Sequence, residues 1–294
     1  MNAIPCQIIN RDFGLVFIPS LDQPPPVFVA VQHCGLGREI FQDLFLTRNS
    51  ESVTDLQTLP LALDLFRSAS PHVGVVYNQF NRRYVETNVH PADAYRDERL
   101  AGYYDSFHQE IAARIIESSA VNGPCVLLDL HGFGDQPAYA PCGGYDAILG
   151  TGNRSTVRLA DRTRRDEKNN LDYQFRDELK KRGLSVFCPE FEPVREKLWR
   201  EKVAADYPNK NIVPRNLIEE EEYESDLALL QPPELPDQFN GGYLIRKHSE
   251  NSERVAAAIQ IELAYSVRDR ADEANKKRDA FIKATTDFIK RIYA

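Results

Sequence analysis

No run of about 18 consecutive apolar residues occurs in the chain, so a membrane-spanning helix is not expected. Met1–Asn10 has no basic segment followed by an apolar one, so no signal peptide is expected either. Lys290–Ala294 carries no lipidation motif. Positive charge is in deficit: 36 Lys and Arg stand against 44 Asp and Glu, a net charge of −8. That balance removes the basic footprint of a nucleic-acid binder. Cys-x-x-Cys is absent, and the five cysteines (Cys6, Cys34, Cys125, Cys142, Cys188) are odd in number and widely spread. A disulfide framework and a structural zinc knuckle are thereby disfavoured. Reduced thiols in a cytoplasmic protein fit better. The glycine-containing stretch Gly150–Ser155 lacks the Gly-Lys-Ser/Thr of a phosphate loop. Internal repeats and a clear linker are also lacking, which favours a single domain over residues 1–294.

The composition that remains is ordinary for a globular chain: 42% apolar, 27% charged, and long enough for a full core. Val27–Val31 is short, apolar and β-branched, follows Pro24-Pro25-Pro26, and reads as a buried strand ending at Gln32-His33-Cys34-Gly35. Val73–Tyr77 reads as a second strand. Asp97–Ser119 places Leu100, Tyr104, Phe107, Ile111 and Ile115 on one helical face. A third strand, Pro124–Asp129, runs into Leu130-His131-Gly132. Helix and strand alternate again at Leu171–Arg182 and Leu184–Cys188, and Ala257–Leu263 is another buried stretch. This alternation predicts an α/β domain with a parallel or mixed sheet. Residues 206–240, rich in Pro, Asn and Glu, read as an insertion or mobile segment, and 270–294 as an exposed terminal helix.

Polar residues at the ends of buried strands are where open α/β sheets place their ligand sites. Here they are His33, Asp129 and His131, with Glu262 inside Gln260-Ile261-Glu262-Leu263. A carboxylate in an apolar strand is costly unless it is paired or bound to a metal. Two histidines and a carboxylate suit a catalytic zinc, a further glutamate can serve as general base, and Asp129 can orient His131 from behind. A lone histidine at a strand end is more often an ordinary polar boundary residue. Cys34, beside His33, is a rival nucleophile, although a buried free thiol is the commoner state. Tyr103, Tyr104 and Phe107 read as core aromatics. His72, His90 and His248 read as surface or loop residues, and Arg162–Arg165 as a solvated basic face.

Ordered segments across residues 27–265 carry a resemblance. They are Val31-Gln32-His33-Cys34-Gly35, Thr54-Asp55-Leu56-Gln57-Thr58, Asn81–Asn88, Tyr104 with His108, Leu128–Gly132, Leu149-Gly150-Thr151, Asn240–Arg246 and Gln260-Ile261-Glu262. In order and spacing the chain resembles the N-formylglutamate amidohydrolase family, which is related to the zinc carboxypeptidases and aspartoacylases. The resemblance implies a phosphorylase/hydrolase-like three-layer α/β fold with a mixed central sheet. It also implies zinc-dependent hydrolysis of an N-acyl amino acid, a small-molecule substrate. His33, Asp55 and His131 are the implied metal ligands, with Glu39 a rival carboxylate. Glu262 is the implied base and Arg82 the group that polarises the scissile carbonyl. Asn88 and Arg246 are implied to hold a substrate carboxylate, and Gly241 and Gly242 to admit the backbone close to substrate.

Two positions depart from the family pattern: Glu86 stands where the family has Asp, and Val89 where it has Arg. Loss of that arginine leaves open a substrate other than N-formylglutamate itself. Two further readings stay open at this stage: a carboxypeptidase or deacylase acting on another N-acylated amino acid or peptide, and a non-catalytic scaffold that keeps the fold.

Overall fold

The computed structural model describes residues 6–11, 14–19, 23–34, 55, 57–78, 80–133, 144–152, 155–157, 170–188, 241–250, 252–269 and 272–293. The strands are β1 (Cys6–Arg11), β2 (Gly14–Pro19), β3 (Val27–Val31), β4 (Val73–Asn78), β5 (Cys125–Phe133), β6 (Ala147–Gly150), β7 (Val186–Phe187) and β8 (Val255–Ala264). They form one mixed sheet in the order β1-β2-β4-β3-β5-β8-β6-β7. The helices among the described residues are α1 (Thr58–Ala69), α2 (Pro91–Ala94), α3 (Ala101–Asn122), α4 (Leu171–Lys181), α5 (Tyr243–Ser249), α6 (Tyr265–Arg268) and α7 (Asp272–Ile292), with a 3-10 turn at Glu98–Leu100. None is long and apolar enough to cross a membrane.

The centre of the sheet is parallel: β3 pairs with β4 and with β5, and β5 with β8. Strands of this kind are covered on both faces, so they read as continuous apolar runs. All five residues of Val27–Val31 are buried. From β3 the chain crosses to β4 on one side. From β5 it leaves in the opposite direction, to β6 beyond β8. Neighbouring strands that send the chain in opposite directions open a crevice between their C-terminal ends. His33 follows β3 and His131 lies in the last turn of β5, so both border that crevice.

Side-chain alternation decides which face they use. Phe28, Ala30, Val76, Cys125 and Leu127 pack with Phe107, Ile111 and Ile115 of α3 and Leu244 and Ile245 of α5. Asp129 and His131 continue the Cys125–Leu127 parity, so they point to the α3/α5 side. On β8, Ala258 shares that cluster and Gln260 and Glu262 follow it at steps of two. Gly132 points the other way. A methyl group added there would meet the buried Arg268 guanidinium at 2.2 Å. Only glycine leaves room for Arg268, which donates to Phe133 O at 2.8 Å and Leu263 O at 3.1 Å.

One expectation is overturned. The terminal helix is not an exposed one: α7 packs against α1 and α4. Phe281, Ala284, Phe288 and Ile289 are buried at helical spacing, and the charged residues between them mask that stripe in the sequence. The antiparallel additions β1–β2 and β6 were not legible as strands. The chain divides into two units, Met1–Cys188 with Gln238–Ala294, and Pro189–Asp237. Every described element belongs to the first. The expected insertion at 206–240 and the basic face at 162–165 lie outside the described residues.

Phe288 stacks on Phe175 of α4 with ring centroids 5.0 Å apart. Phe288→Ala is expected to lower unfolding stability by about 3–5 kcal/mol, read from urea melts followed by circular dichroism.

Candidate active site

His33, Asp55 and His131 meet in the crevice. His33 Nδ1 lies 3.3 Å from Asp55 Oδ2 and 3.1 Å from His131 Nδ1, and His131 Nδ1 is 3.3 Å from the same Asp55 oxygen. All three residues are buried. Asp55 reaches this point although it is 22 residues from His33, because its backbone N–H donates to His33 O at 2.9 Å. Thr58, at the start of α1, donates its hydroxyl to Asp55 O at 2.7 Å and holds the turn. The Gly132 N–H adds a contact to Asp55 Oδ2 at 3.3 Å.

The far side of each ring is held by a carboxylate. His33 Nε2 is 2.6 Å from Glu86 Oε1, and His131 Nε2 is 2.9 Å from Asp129 Oδ2. An ionised carboxylate only accepts, so both Nε2 atoms carry the proton and both Nδ1 lone pairs turn inward. Gln32 steadies Asp129 by donating Nε2–H to Oδ2 at 2.7 Å. Two inward lone pairs and a carboxylate oxygen repel one another unless protons or a metal cation lie between them.

The donor set and spacing fit a metal. Ligand bonds of about 2.0–2.2 Å in tetrahedral geometry separate ligand atoms by roughly 3.3–3.6 Å, close to the observed triangle. The carboxylates behind the rings are the usual companions of metal-bound imidazoles. Charge agrees as well. Asp55, Glu86, Asp129 and Glu262 are all buried here, with the Arg82 guanidinium as the cation paired among them. Glu39, the rival ligand, lies outside the described residues.

Proton affinities follow the same crowding. Burial opposes charge on His33, but Glu86 and Asp55 outweigh it and raise its pKa. Burial likewise opposes charge on His131, and Asp129 lifts it well above the ordinary imidazole value. For Glu86, burial is outweighed by His33 and Arg82, and its pKa is lowered to about 2. Glu262 moves the other way: burial raises it, against the pull of His131, with Asp55 adding to the rise. The Cys34 thiol is pushed up to about 12 by burial and donates to Asn78 O at 3.3 Å and Val31 O at 3.5 Å. It stays protonated, which argues against its reading as a nucleophile.

The remaining expected residues divide into those beside the cluster and those farther out. Arg82 donates through Nε and Nη2 to Glu86 Oε2, at 2.9 and 2.7 Å, and its Nη1 lies 4.0 Å from Asp55 Oδ1. Glu262 stands beside His131 across the β5–β8 pairing. Asn88 caps α5: Leu244 N–H donates to its Oδ1 at 3.0 Å, which turns the Nδ2 donor the other way. Gly242 meets Asn88. A Cβ there would lie 2.3–2.6 Å from the Asn88 amide, so this glycine admits a side chain of the protein itself. Gly241, at φ +75°, needs glycine because its backbone crowds Gly152. Arg246 is exposed on α5 with its guanidinium toward Gly152. Val89, at the position of the family's arginine, packs into an apolar cluster around Tyr104, whose hydroxyl donates to Val89 O at 2.8 Å.

Sequence reasoning missed four participants. Glu86 stood out as a departure, not as the partner of His33. Gln32 and Gln260 have a signal that goes unused: each is a buried amide close in sequence to a site residue, and Gln260 shares the face of Glu262. His248 is not a surface residue. It is half-buried and stacks on His108 with centroids 5.3 Å apart, its Nε2–H donating to His108 Nδ1 at 3.0 Å. His108 in turn donates to Thr87 O at 3.1 Å, so the pair docks α5 on α3.

Comparison with known proteins agrees with this architecture. The N-formylglutamate amidohydrolase of Ralstonia eutropha JMP134 superposes with a TM-score of 0.60, over 95% of this chain and 97% of its own, at 14% identity. A gene product of Agrobacterium tumefaciens superposes at 0.54, over 91% of this chain and 88% of its own, at 16% identity. At such identities the likeness is one of fold: a three-layer α/β arrangement around a mixed sheet. No curated protein matches the sequence. The sequence model of the N-formylglutamate amidohydrolase family matches residues 31–189, the stretch that carries His33, Asp55 and His131. Matched over more than half of its length, the chain belongs to the N-formylglutamate amidohydrolase family.

Proposed function

We infer that the chain, acting as one amidohydrolase domain, is a zinc-dependent hydrolase that cleaves the amide bond of an N-acyl amino acid. The observation that carries this reading is the triangle of His33 Nδ1, His131 Nδ1 and Asp55 Oδ2, with edges of 3.1–3.3 Å and a carboxylate behind each ring. These three residues would hold the metal, which supplies Lewis acidity to water and to the scissile carbonyl. Zinc suits two imidazoles and one carboxylate.

The protein's own groups complete the chemistry. Glu262, on the strand next to His131, takes a proton from the attacking water and returns it to the departing amine nitrogen. Burial raises its pKa, which suits a group that must hold that proton between the two steps. Arg82, near Asp55 and fixed by Glu86, stabilises negative charge growing on the carbonyl oxygen. Asn88 offers the Nδ2 donor left by its bond to Leu244, and Arg246 offers a guanidinium for the substrate carboxylate. The products are a carboxylate and a free amino acid. Val89, half-buried against aromatic side chains, leaves the carboxylate to fewer donors than the family pattern supplies. A panel of N-formyl, N-acetyl and peptide substrates with added zinc tests the reading. Hydrolysis of none of them would overturn it.

Zinc content after dialysis, measured by mass spectrometry, is expected near one per chain and near zero in His131→Ala. Glu86→Gln removes the acceptor behind His33 and is expected to weaken zinc binding about 10–100-fold, measured by competition with a chromogenic chelator. Glu262→Gln is expected to keep zinc while turnover falls by roughly 10²–10⁴; normal turnover in that variant would remove Glu262 from the reaction. Arg82→Ala is expected to lower kcat about 10²–10³-fold, whereas Arg246→Ala acts mainly through a higher KM. Steady-state kinetics separates the two.

A further inference from the structure

Gln260 is a fully buried amide in an otherwise aliphatic stretch of β8. Such a group is destabilising unless both its ends are bonded. Here both are, and to different parts of the site. The Gly242 N–H, just before α5, donates to Gln260 Oε1. Gln260 Nε2 donates to Glu262 Oε1 at 2.7 Å. The orientation of the amide is thereby determined, because a backbone N–H needs an acceptor and a carboxylate needs a donor.

The same end of α5 is held from a second direction. Leu244 N–H donates to Asn88 Oδ1 at 3.0 Å, and the Asn88 N–H donates to Glu86 Oε1 at 3.0 Å, the oxygen that also contacts His33. The backbone donors that open α5 therefore connect Glu262 on one side with the residues around His33 on the other. A side chain at Gly242 would displace the Asn88 amide, so the two links to α5 adjoin each other.

We propose that Gln260 is a positioning residue: it ties the base Glu262 to the start of α5, so that the helix carrying Arg246 and the carboxylate that moves the proton are held in one register. This rests on the hydrolase reading above. Gln260 occupies Oε1 of Glu262 and leaves Oε2 outside that bond for proton transfer. Its two ends have separable jobs. The Oε1 end holds the substrate-binding helix, and the Nε2 end orients the base.

Two substitutions separate these jobs. Gln260→Glu keeps an acceptor for Gly242 and replaces the amide donor to Glu262 with a second carboxyl group that must share a proton with it. Gln260→Met keeps the volume and loses both. With zinc-loaded protein and the N-formyl and N-acetyl amino acid panel, Gln260→Glu is expected to lose at least tenfold in kcat while KM stays within about twofold. Gln260→Met is expected to lose kcat similarly and to raise KM as well. Hydrogen exchange of the peptide spanning 241–250, without substrate, is expected to stay near wild type in the first variant and to accelerate about tenfold in the second. In a Glu262→Gln background, Gln260→Met should change the residual kcat by less than twofold, because its effect on kcat passes through the lost carboxylate, while its effect on KM remains. If Gln260→Glu does not fold, Gln260→Met with its exchange measurement decides. Wild-type kcat in the folded variants, or unchanged exchange in Gln260→Met, overturns the proposal. A wild-type protein that hydrolyses nothing sinks the hydrolase reading instead, and the exchange measurement then judges the Gln260 link by itself.

Discussion

Everything in the crevice answers to one electrostatic demand: four carboxylates are taken out of water around two imidazoles. Ionised carboxylates are rarely buried without partners, because desolvation costs several kcal/mol each. Asp55 turns inward, Glu86 and Asp129 back the two rings, and Glu262 stands beside them. Arg82 answers part of that charge. A divalent cation held between the inward nitrogens and Asp55, as proposed above, would answer more of it and would offset the approach of the two ring nitrogens to 3.1 Å. The arrangement is stable as a set and unfavourable in pieces.

The fold meets that demand with few elements. The reversal of chain direction between β3 and β5 opens the crevice, and strand parity does the aiming. On two adjacent parallel strands Asp129 lies level with Gln260 and His131 with Glu262. Asp129 with His131 and Gln260 with Glu262 are thus set side by side by the strand pairing. Asp55 joins them from outside the strands, fastened by the bond from its N–H to His33 O. On the reverse face Arg268 secures the ends of the same two strands through Phe133 O and Leu263 O.

How much of this can be read without coordinates depends on how local the cause is. The central strands are legible because burial on both faces leaves an unbroken apolar run, and His33, His131 and Glu262 are legible as polar residues interrupting or ending such runs. Asp55 has no such background. It sits outside any periodic segment, and only resemblance to a family singles it out. Glu86 and Gln260 were hidden for another reason: each is defined by its partner, His33 or Glu262 with Gly242, and pairing across distant segments leaves no mark in composition. His248 and the α7 stripe were misjudged alike, because neighbouring lysines and arginines mask a buried face.

The pairing of β5 with β8 has a bearing on how sequences of this kind can drift. Alternation has a period of two, so one residue gained or lost in β8 before Gln260 would turn both Gln260 and Glu262 to the side occupied by Arg268. Such a change would take both side chains out of the crevice at once. Single-residue length variation in this strand therefore needs a bulge to absorb it, as the register shift between Val255 and Ala257 opposite Cys125 and Val126 does. Other variation in length is left to the connecting segments, whose ends need only return to the same edges of the sheet.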